Sequence, residues 1–220
     1  VLLAGSATAG VIYVQPIQVC TNVGTGCANS AKTLFEAETD KIWSQAGLDI
    51  SFFSWNSLNA TDFLTIDSNA ELNSLWTGAG HGASPDSTVI SMWFVQSLDP
   101  LEPGFTVFGI AEYPGNHIAI ADAVFSSNRL DTLAHEIGHN LFLDHYTGAD
   151  KASNLMAAGA DRSVPGSIAD IYPDGLQLDQ LNGTQIETVL RSDLIHEVPE
   201  PASMVLVGAG LIGASLLRRR

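Results

Sequence analysis

The sequence predicts an α+β protein in which helices pack on a twisted mixed sheet of about five strands. Short runs rich in β-branched and aromatic residues alternate with segments of helical periodicity, in the order strand, helix, strands, helix, loop, helix. The chain has 220 residues, of which 45% are hydrophobic, so it is long enough to bury one sizeable core.

The first half of the chain predicts a strand, a helix and a second strand. Residues 10–20 (GVIYVQPIQVC) predict the first strand. An amphipathic helix follows, with Ser30 as its N-cap and Gly47 as its C-terminal stop. Residues 48–55 predict the second strand, and the mixed stretch 58–75 is left unassigned.

Three further strands are predicted after a loop at 77–87. Residues 88–98 (TVISMWFVQSL) are mostly apolar, which predicts a strand in the middle of the sheet. Residues 105–113 and 117–125 predict two more strands, joined by a turn at 114–116 (PGN).

Two helices complete the prediction. The first begins near Asp131, which can cap it, and carries His135. A long loop containing Gly, Asp and Pro residues comes next. Residues 178–195 predict the last helix, which Gly183 weakens because glycine is a poor helix former.

The charge of the chain excludes some classes of partner. The formal net charge is −15, and three of the nine Lys and Arg residues are the last three residues. Nucleic acid is therefore not expected as a partner. Calcium would suit an acidic protein, but no EF-hand-type loop supports a calcium site.

The strongest chemical signal is HEIGHNLFLDH, residues 135–145. On a helix, His135 and His139 differ by about 40° of rotation and about 6 Å of rise, so both can bind one ion. Neutral imidazole is a good zinc ligand. Glu136 lies about 100° round the helix from His135, close enough to the ion to hold a water. These residues predict a zinc site with an adjacent general base.

His145 is the candidate third ligand. If the helix continued, His145 would lie about 15 Å along the axis from His135, so the chain must turn sharply after His139. A glycine in the left-handed region makes such a turn easily, whereas Phe142 would cost about 1–2 kcal/mol there. The alternative third ligand is a distant carboxylate such as Glu187.

The stretch resembles the metzincin metallopeptidase pattern HExxHxxGxxH, with Phe142 in place of the glycine. The segment SNLMAAG fits the downstream Met-turn of that family, and the resemblance implies that Met156 forms a hydrophobic floor beneath the zinc. It implies a metzincin-like fold for residues 10–197, with an active-site helix, a Met-turn and a C-terminal helix. Residues 105–113 would then be the edge strand that pairs with an extended substrate.

The function implied by this resemblance is zinc-dependent hydrolysis of peptide bonds in a protein or peptide substrate. One catalytic zinc activates a water, and Glu136 acts as the general base. A second oxyanion donor is expected, with Tyr113 and Tyr146 as equal candidates. The alternative is a non-catalytic matrix or adhesion protein whose metzincin-like fold is stabilised by zinc.

Both ends of the chain predict export. Residues 1–9 end in an A-x-A-like cleavage signature and are interpreted as the remnant of a signal peptide. Residues 198–220 combine a VPEP segment, an uncharged and mostly apolar stretch, and three final arginines. The VPEP residues are Val198, Pro199, Glu200 and Pro201.

This C-terminal segment resembles the PEP-CTERM sorting signal of bacterial surface proteins. The resemblance implies transient insertion of the tail as a transmembrane helix in the inner membrane, and its removal by an exosortase-type enzyme. It also implies release to the cell envelope or the extracellular space.

Cys20 and Cys27 are the two cysteines of the chain, separated by six small or polar residues. A loop of that length closes easily, and an exported protein folds in an oxidising environment. We therefore predict a disulfide between them, with a pair of free thiols as the alternative.

Overall fold

The computed structural model describes residues 10–98 and 106–198, which form one mixed sheet with hydrophobic clusters on both faces. The order across the sheet is β2-β1-β4-β6-β5, and β3 pairs with the second half of β1. Every pair is parallel except β5 with β6. The strands are β1 (Gly10–Cys20), β2 (Leu48–Phe52), β3 (Asn56–Asn59), β4 (Ile90–Val95), β5 (Gly109–Ala111) and β6 (His117–Ala121).

The predicted α+β class and mixed sheet are confirmed, with six strands in the described residues where about five were expected. The additional strand is β3, which covers the end of β1 that β2 does not reach. Pairing with β2 ends at Val14 and pairing with β3 starts at Ile17, so the change of partner falls around Pro16. Because proline has no N–H to donate, this position suits a break in the ladder.

Strand β4 is central, as its apolar sequence predicted, and all six of its residues are buried. Its side chains alternate between the two faces of the sheet. Ile90, Met92 and Phe94 belong to one cluster, and Trp93 and Val95 belong to the other.

Five helices are present in the described residues: α1 (Glu36–Trp43), α2 (Asn69–Thr77), α3 (Ala123–Ser126), α4 (Thr132–Asn140) and α5 (Gly183–Val189). Gly183 does not weaken the interior of α5, because it is the first residue of that helix. Asn182 and Gln185 form a capping box in front of it, with side chains bonded to each other's backbone N–H.

The prediction of Ser30 as an N-cap is wrong, because α1 begins at Glu36. The side chain of Asn29 bonds both the N–H and the carbonyl of Thr33, which holds this stretch in a loop. Gly47 closes the helical segment as predicted, with φ of 69° in the left-handed region.

The predicted disulfide between Cys20 and Cys27 is present. Within residues 10–98 and 106–198, no helix has both the length and the apolar character needed to cross a membrane. The predicted signal remnant at 1–9 and the tail from Pro199 onward, including its transmembrane helix, lie outside the described residues.

Candidate metal centre

One face of helix α4 packs in the hydrophobic core, and another carries the side chains of the candidate site. Leu133, Ala134 and Ile137 are fully buried in the hydrophobic cluster that also contains residues of β4 and β6. The helix ends against the β5–β6 hairpin, where Asn140 Nδ2 donates to the carbonyls of Glu112 and His117. Packing on one side and this anchor at its end set the direction in which the histidines of α4 point.

The sharp turn that the histidine spacing predicted is present after α4, and it is made in the left-handed region. Phe142 adopts φ of 69°. The N–H of Leu143 bonds the carbonyl of Gly138 at 3.0 Å, and the N–H of Phe142 bonds that of His139 at 3.2 Å. These two bonds are those of a Schellman motif, with phenylalanine where glycine is usual. They satisfy carbonyls at the helix end and so offset the cost of about 1–2 kcal/mol for a non-glycine residue.

This turn brings His145 to the two histidines of the helix. One ligand nitrogen from each of His135, His139 and His145 lies within 4.8 Å of the others. In the described residues no other group of three histidine, cysteine or carboxylate side chains converges in this way, and Glu187 is not part of the cluster. Three imidazoles leave room for a fourth, exchangeable ligand, and such a donor set suits zinc.

Backbone carbonyls lie at Nδ1 of both helical histidines. His135 Nδ1 lies 2.7 Å from the carbonyl oxygen of Leu155, and His139 Nδ1 lies 2.7 Å from that of Leu143. A carbonyl can only accept, so His139 carries its proton on Nδ1 and keeps its lone pair on Nε2. Nδ1 of His135 also contacts the donor NH1 of Arg162, and binding a metal through Nε2 would place the His135 proton on Nδ1. Burial lowers the pKa of His135 well below its usual value and also lowers that of His139, which favours neutral imidazoles.

The two Nε2 atoms of His135 and His139 are 3.2 Å apart. Both atoms can therefore bind one ion if each presents its lone pair to it. Tetrahedral zinc with bonds of about 2.1 Å places two ligand nitrogens about 3.4 Å apart. The residues present therefore fit a zinc ion.

Glu136 is buried between α4 and the edge strand β5. It is 6% exposed, and burial raises the pKa of its carboxyl to about 8, with Arg162 opposing the shift. A Cβ added to Gly109 would lie 2.8 Å from Oε1 of Glu136. The absence of a side chain at Gly109 is therefore what leaves room for the carboxylate.

Met156 lies behind the helix at the position where the sequence placed a Met-turn. Its side chain is fully buried and packs so closely on Gly138 that a Cβ there would overlap the sulfur. The turn is held by Asn154, whose Oδ1 accepts from the Met156 N–H and whose amide exchanges two hydrogen bonds with Gln185 of α5. The C-terminal helix thus supports the turn at Met156.

Asp131 does not cap α4, contrary to the prediction, because its side chain makes no cap hydrogen bond. It is fully buried and forms an ion pair with Arg162, whose Nε lies 2.7 Å from Oδ2 of Asp131. Burial and the neighbouring Asp131 raise the pKa of Asp179 to about 8, with Arg162 and Arg129 opposing. Two aspartates and two arginines therefore form a buried charge cluster.

Replacing Asp179 by asparagine is expected to stabilise the protein increasingly as the pH rises. Unfolded, the carboxyl ionises near pH 3.8, whereas folded it keeps its proton to about pH 8. Unfolding therefore releases a proton between these values, so the stability contributed by Asp179 falls as the pH rises through this window. The asparagine side chain at position 179 still offers a hydrogen-bond donor, as the protonated aspartic acid does, but it cannot ionise. Urea unfolding should show a gain of at least about 1 kcal/mol for D179N at pH 8.

The same comparison at pH 4 serves as the control, since both proteins are then neutral at position 179. Wild-type protein more stable than D179N at pH 8 would mean that Asp179 is ionised and paired with an arginine.

The two tyrosines considered as oxyanion donors differ in their surroundings. The hydroxyl of Tyr146 donates to Asp150 at 2.6 Å. The ring of Tyr113 stands edge-on to His139, with ring centroids 6.2 Å apart, and 53% of this tyrosine is exposed. Tyr113 is therefore the better candidate, because its ring contacts the candidate ligand His139 and, among the described residues, its hydroxyl bonds only the carbonyl of Phe142, at 3.4 Å.

Several residues that shape the site were not predicted from the sequence: Gly109, Asn154, Arg162, Asp179 and Gln185. For Asn154 a local signal existed, since an asparagine two residues before Met156 can form an Asx-turn. Arg162 is one of only nine Lys and Arg residues in the chain, but its burial has no local signature.

Residues 197–220 match the family described as the PEP-CTERM protein-sorting motif, which indicates export and sorting to the cell envelope. No curated protein sequence matches the chain. The predicted sorting motif is thereby confirmed, with a boundary at residue 197.

Among solved structures, the archaemetzincin of Methanopyrus kandleri has a TM-score of 0.43 at 12% identity, covering 87% of this chain and 98% of its own. A zinc-dependent peptidase of Methanocorpusculum labreanum has a TM-score of 0.43 at 11% identity, covering 80% of this chain and 99% of its own. The archaemetzincin of Archaeoglobus fulgidus, complexed with malonate, has a TM-score of 0.38 at 16% identity, covering 81% and 99%. Because these TM-scores are below 0.5, the functional assignment rests on the site geometry.

Proposed function

We propose that this protein is an exported, zinc-dependent endopeptidase of metzincin type. The observation that carries the proposal is the convergence of three imidazoles, with the Nε2 atoms of His135 and His139 3.2 Å apart, His145 beside them and the buried carboxyl group of Glu136 next to His135. A purely structural zinc site has a closed set of four protein ligands and no need of a base, whereas this site has three ligands and a base.

In this proposal His135, His139 and His145 would hold the zinc, and Met156 would form the hydrophobic floor behind the three histidines. When bound, zinc supplies Lewis-acid activation of a water and of the scissile carbonyl. Glu136 accepts a proton from the attacking water and delivers it to the leaving amine. Tyr113 is the proposed second donor to the oxyanion.

The edge strand β5 is the proposed docking site for the substrate backbone. In the part of the chain that the structure describes, it is the last strand in the sheet order and pairs only with β6, and it lies against Glu136 through Gly109. An extended peptide can add to such an edge by backbone hydrogen bonds. Its scissile bond would then lie close to the base.

Replacing Gly109 by alanine is expected to displace Glu136 and to lower kcat by about tenfold or more, because the new Cβ would lie 2.8 Å from Oε1. Zinc affinity should not change, since Gly109 contacts the base and not the ligands. Steady-state kinetics and zinc titration measure the two quantities. Gly183→Ala is the matched control, because it is the same chemical change at a glycine where an added Cβ would meet nothing within 4 Å, and it should retain wild-type kcat. An unchanged kcat in G109A would contradict the placement of the base.

The proposed organisation has three parts. Residues 10–197 form the peptidase domain, residues 1–9 carry the A-x-A-like export signature, and the segment that matches the sorting motif carries Val198, Pro199, Glu200 and Pro201 for recognition by an exosortase-type enzyme. The tail would insert transiently in the inner membrane before the domain is released to the envelope or the medium.

A peptide-hydrolysis assay with and without a chelator tests this function. We expect cleavage of an unstructured protein substrate, its loss on chelation, and its return with stoichiometric zinc. Zinc binding without cleavage of any substrate would favour the non-catalytic matrix or adhesion role instead.

A further inference from the structure

A cavity of about 270 Å³ lies beyond the end of α4, between the turn of the β5–β6 hairpin and the segment that follows α5. The residues that line it include Pro114, Asn140, Phe142, Asp193 and Leu194. Small-molecule sites usually enclose about 300–1,000 Å³, so this cavity suits one long side chain better than a whole ligand. The mechanism proposed above assigns no role to it.

Hydrogen bonds hold two walls of the cavity in place. Asn140 is 1% exposed, and its Nδ2 donates to the carbonyls of Glu112 and His117, which joins the end of α4 to the hairpin. Asn116, in the hairpin turn, donates to the carbonyl of Val89 at 3.0 Å. A site that is already ordered loses little conformational entropy when it binds a ligand.

Phe142 brings an aromatic ring to this cavity although the turn does not require one. Its φ of 69° is one that glycine adopts freely and a bulky residue rarely does. The side chain is 46% exposed, so burial offsets only part of the backbone strain. A strained backbone at an exposed position points to a function for the side chain. The face of an aromatic ring attracts cations.

Asp193 brings a negative charge to the same cavity. It is exposed, and among the described residues its carboxylate has no ion-pair or hydrogen-bond partner. No other charged residue of the described chain lines the cavity. Pro114 and Leu194 add apolar surface, on which the methylene stem of a lysine or arginine can pack while its cationic head stays near the carboxylate.

The cavity adjoins the edge strand proposed to bind the substrate. Gly109, which lies against Glu136, begins β5, and Tyr113 and Pro114 follow the end of that strand. The hydroxyl of Tyr113 bonds the carbonyl of Phe142 at 3.4 Å, so this tyrosine links the cavity to the metal centre. At about 3.3 Å per residue, a peptide paired with β5 would reach the cavity roughly two to four residues from its scissile bond.

We propose that this cavity is a subsite for an arginine or lysine side chain of the peptide substrate, bound by the ring of Phe142 and the carboxylate of Asp193. The inference rests on the proposed peptidase function and names the class of peptide that it prefers. The net charge of −15 adds a long-range attraction for such basic peptides.

The test compares peptides that differ only in one charge. Cleavage of a mixture of unstructured peptides, analysed by mass spectrometry, first locates the position at which arginine and lysine are enriched. Two peptides are then made with arginine or citrulline at that position, since citrulline has nearly the same shape and no charge. We expect kcat/KM to be about tenfold higher for the arginine peptide at low ionic strength, and this ratio to fall at high salt.

Two variants assign the preference to this cavity. In Asp193→Asn and in Phe142→Gly the ratio should fall to about threefold or less, because each variant keeps one of the two contacts. Glycine favours the φ of position 142, so F142G removes the ring and retains the turn. A zinc-dependent rise in Tm checks that both variants are folded.

Asp62→Asn is the matched control for D193N. It removes one exposed carboxylate and the same unit of net charge from a residue that does not line the cavity. Its ratio of arginine to citrulline cleavage should therefore equal that of the wild type.

A protein that cleaves peptides without enriching basic residues at a fixed position overturns the subsite and leaves the peptidase intact. So does enrichment of apolar residues there, or a ratio that neither D193N nor F142G lowers. A protein that cleaves no peptide at all refutes the proposed function, and the subsite with it.

Discussion

Replacing Glu136 by glutamine should lower kcat for peptide hydrolysis by about 10²–10⁴-fold while the protein still binds one zinc ion. Glutamine has nearly the same shape and fills the space beside Gly109, but it cannot accept a proton from water. The three histidines are untouched, so the metal site keeps its ligands. Steady-state kinetics and metal analysis on the same preparation separate the two effects.

The matched control for this variant is Glu187→Gln, which makes the same chemical change on helix α5, away from the metal cluster. It should retain wild-type kcat. Cleavage at the wild-type rate in E136Q would remove Glu136 as the base, and loss of zinc in E136Q would place Glu136 among the ligands.

Replacing His145 by alanine should abolish both tight zinc binding and hydrolysis, because only two of the three imidazole ligands would remain. At a zinc concentration about 1,000 times the Kd, the bound ion stabilises the folded protein by about 4 kcal/mol. For a protein of this size that stabilisation corresponds to roughly 8–16 °C in Tm. Thermal unfolding should therefore show a zinc-dependent rise in Tm in the wild type and none in H145A.

His196→Ala is the control, since His196 packs against Tyr13 and lies outside the triad. Its unfolding temperature should still rise with zinc by the wild-type amount. If H145A retained the zinc-dependent shift, the third ligand would be another residue, as in the alternative that invoked Glu187.

The candidate ligands could be predicted because the information is local. The period of an α-helix places His135 and His139 on one face whatever the rest of the fold does. The need for a turn after His139 followed from the same geometry, and Phe142 adopts the required positive φ. The central position of β4 was likewise predictable, because a run of apolar residues is stable only when both faces are covered.

Element boundaries were less predictable where side chains compete with the backbone. Ser30 has the residue type of an N-cap, yet the Asn29 side chain holds its neighbours in a loop and α1 begins at Glu36. Asp131 also has the residue type of a cap, but Arg162 lies close enough to form an ion pair with it instead. The type of a residue limits the interactions that its side chain can make. The residues around it in the folded protein decide which of those interactions forms.

The sequence by itself determined the candidate donor atoms, their spacing and the candidate base, because all of these lie within eleven consecutive residues. Only the tertiary structure decided how the histidines are oriented and what surrounds the base. Leu155 lies 20 residues from His135, Arg162 lies 27 residues from it, and Gln185 lies 31 residues from Asn154. Contacts at such separations depend on how the whole chain packs, and neither periodicity nor residue type encodes them locally.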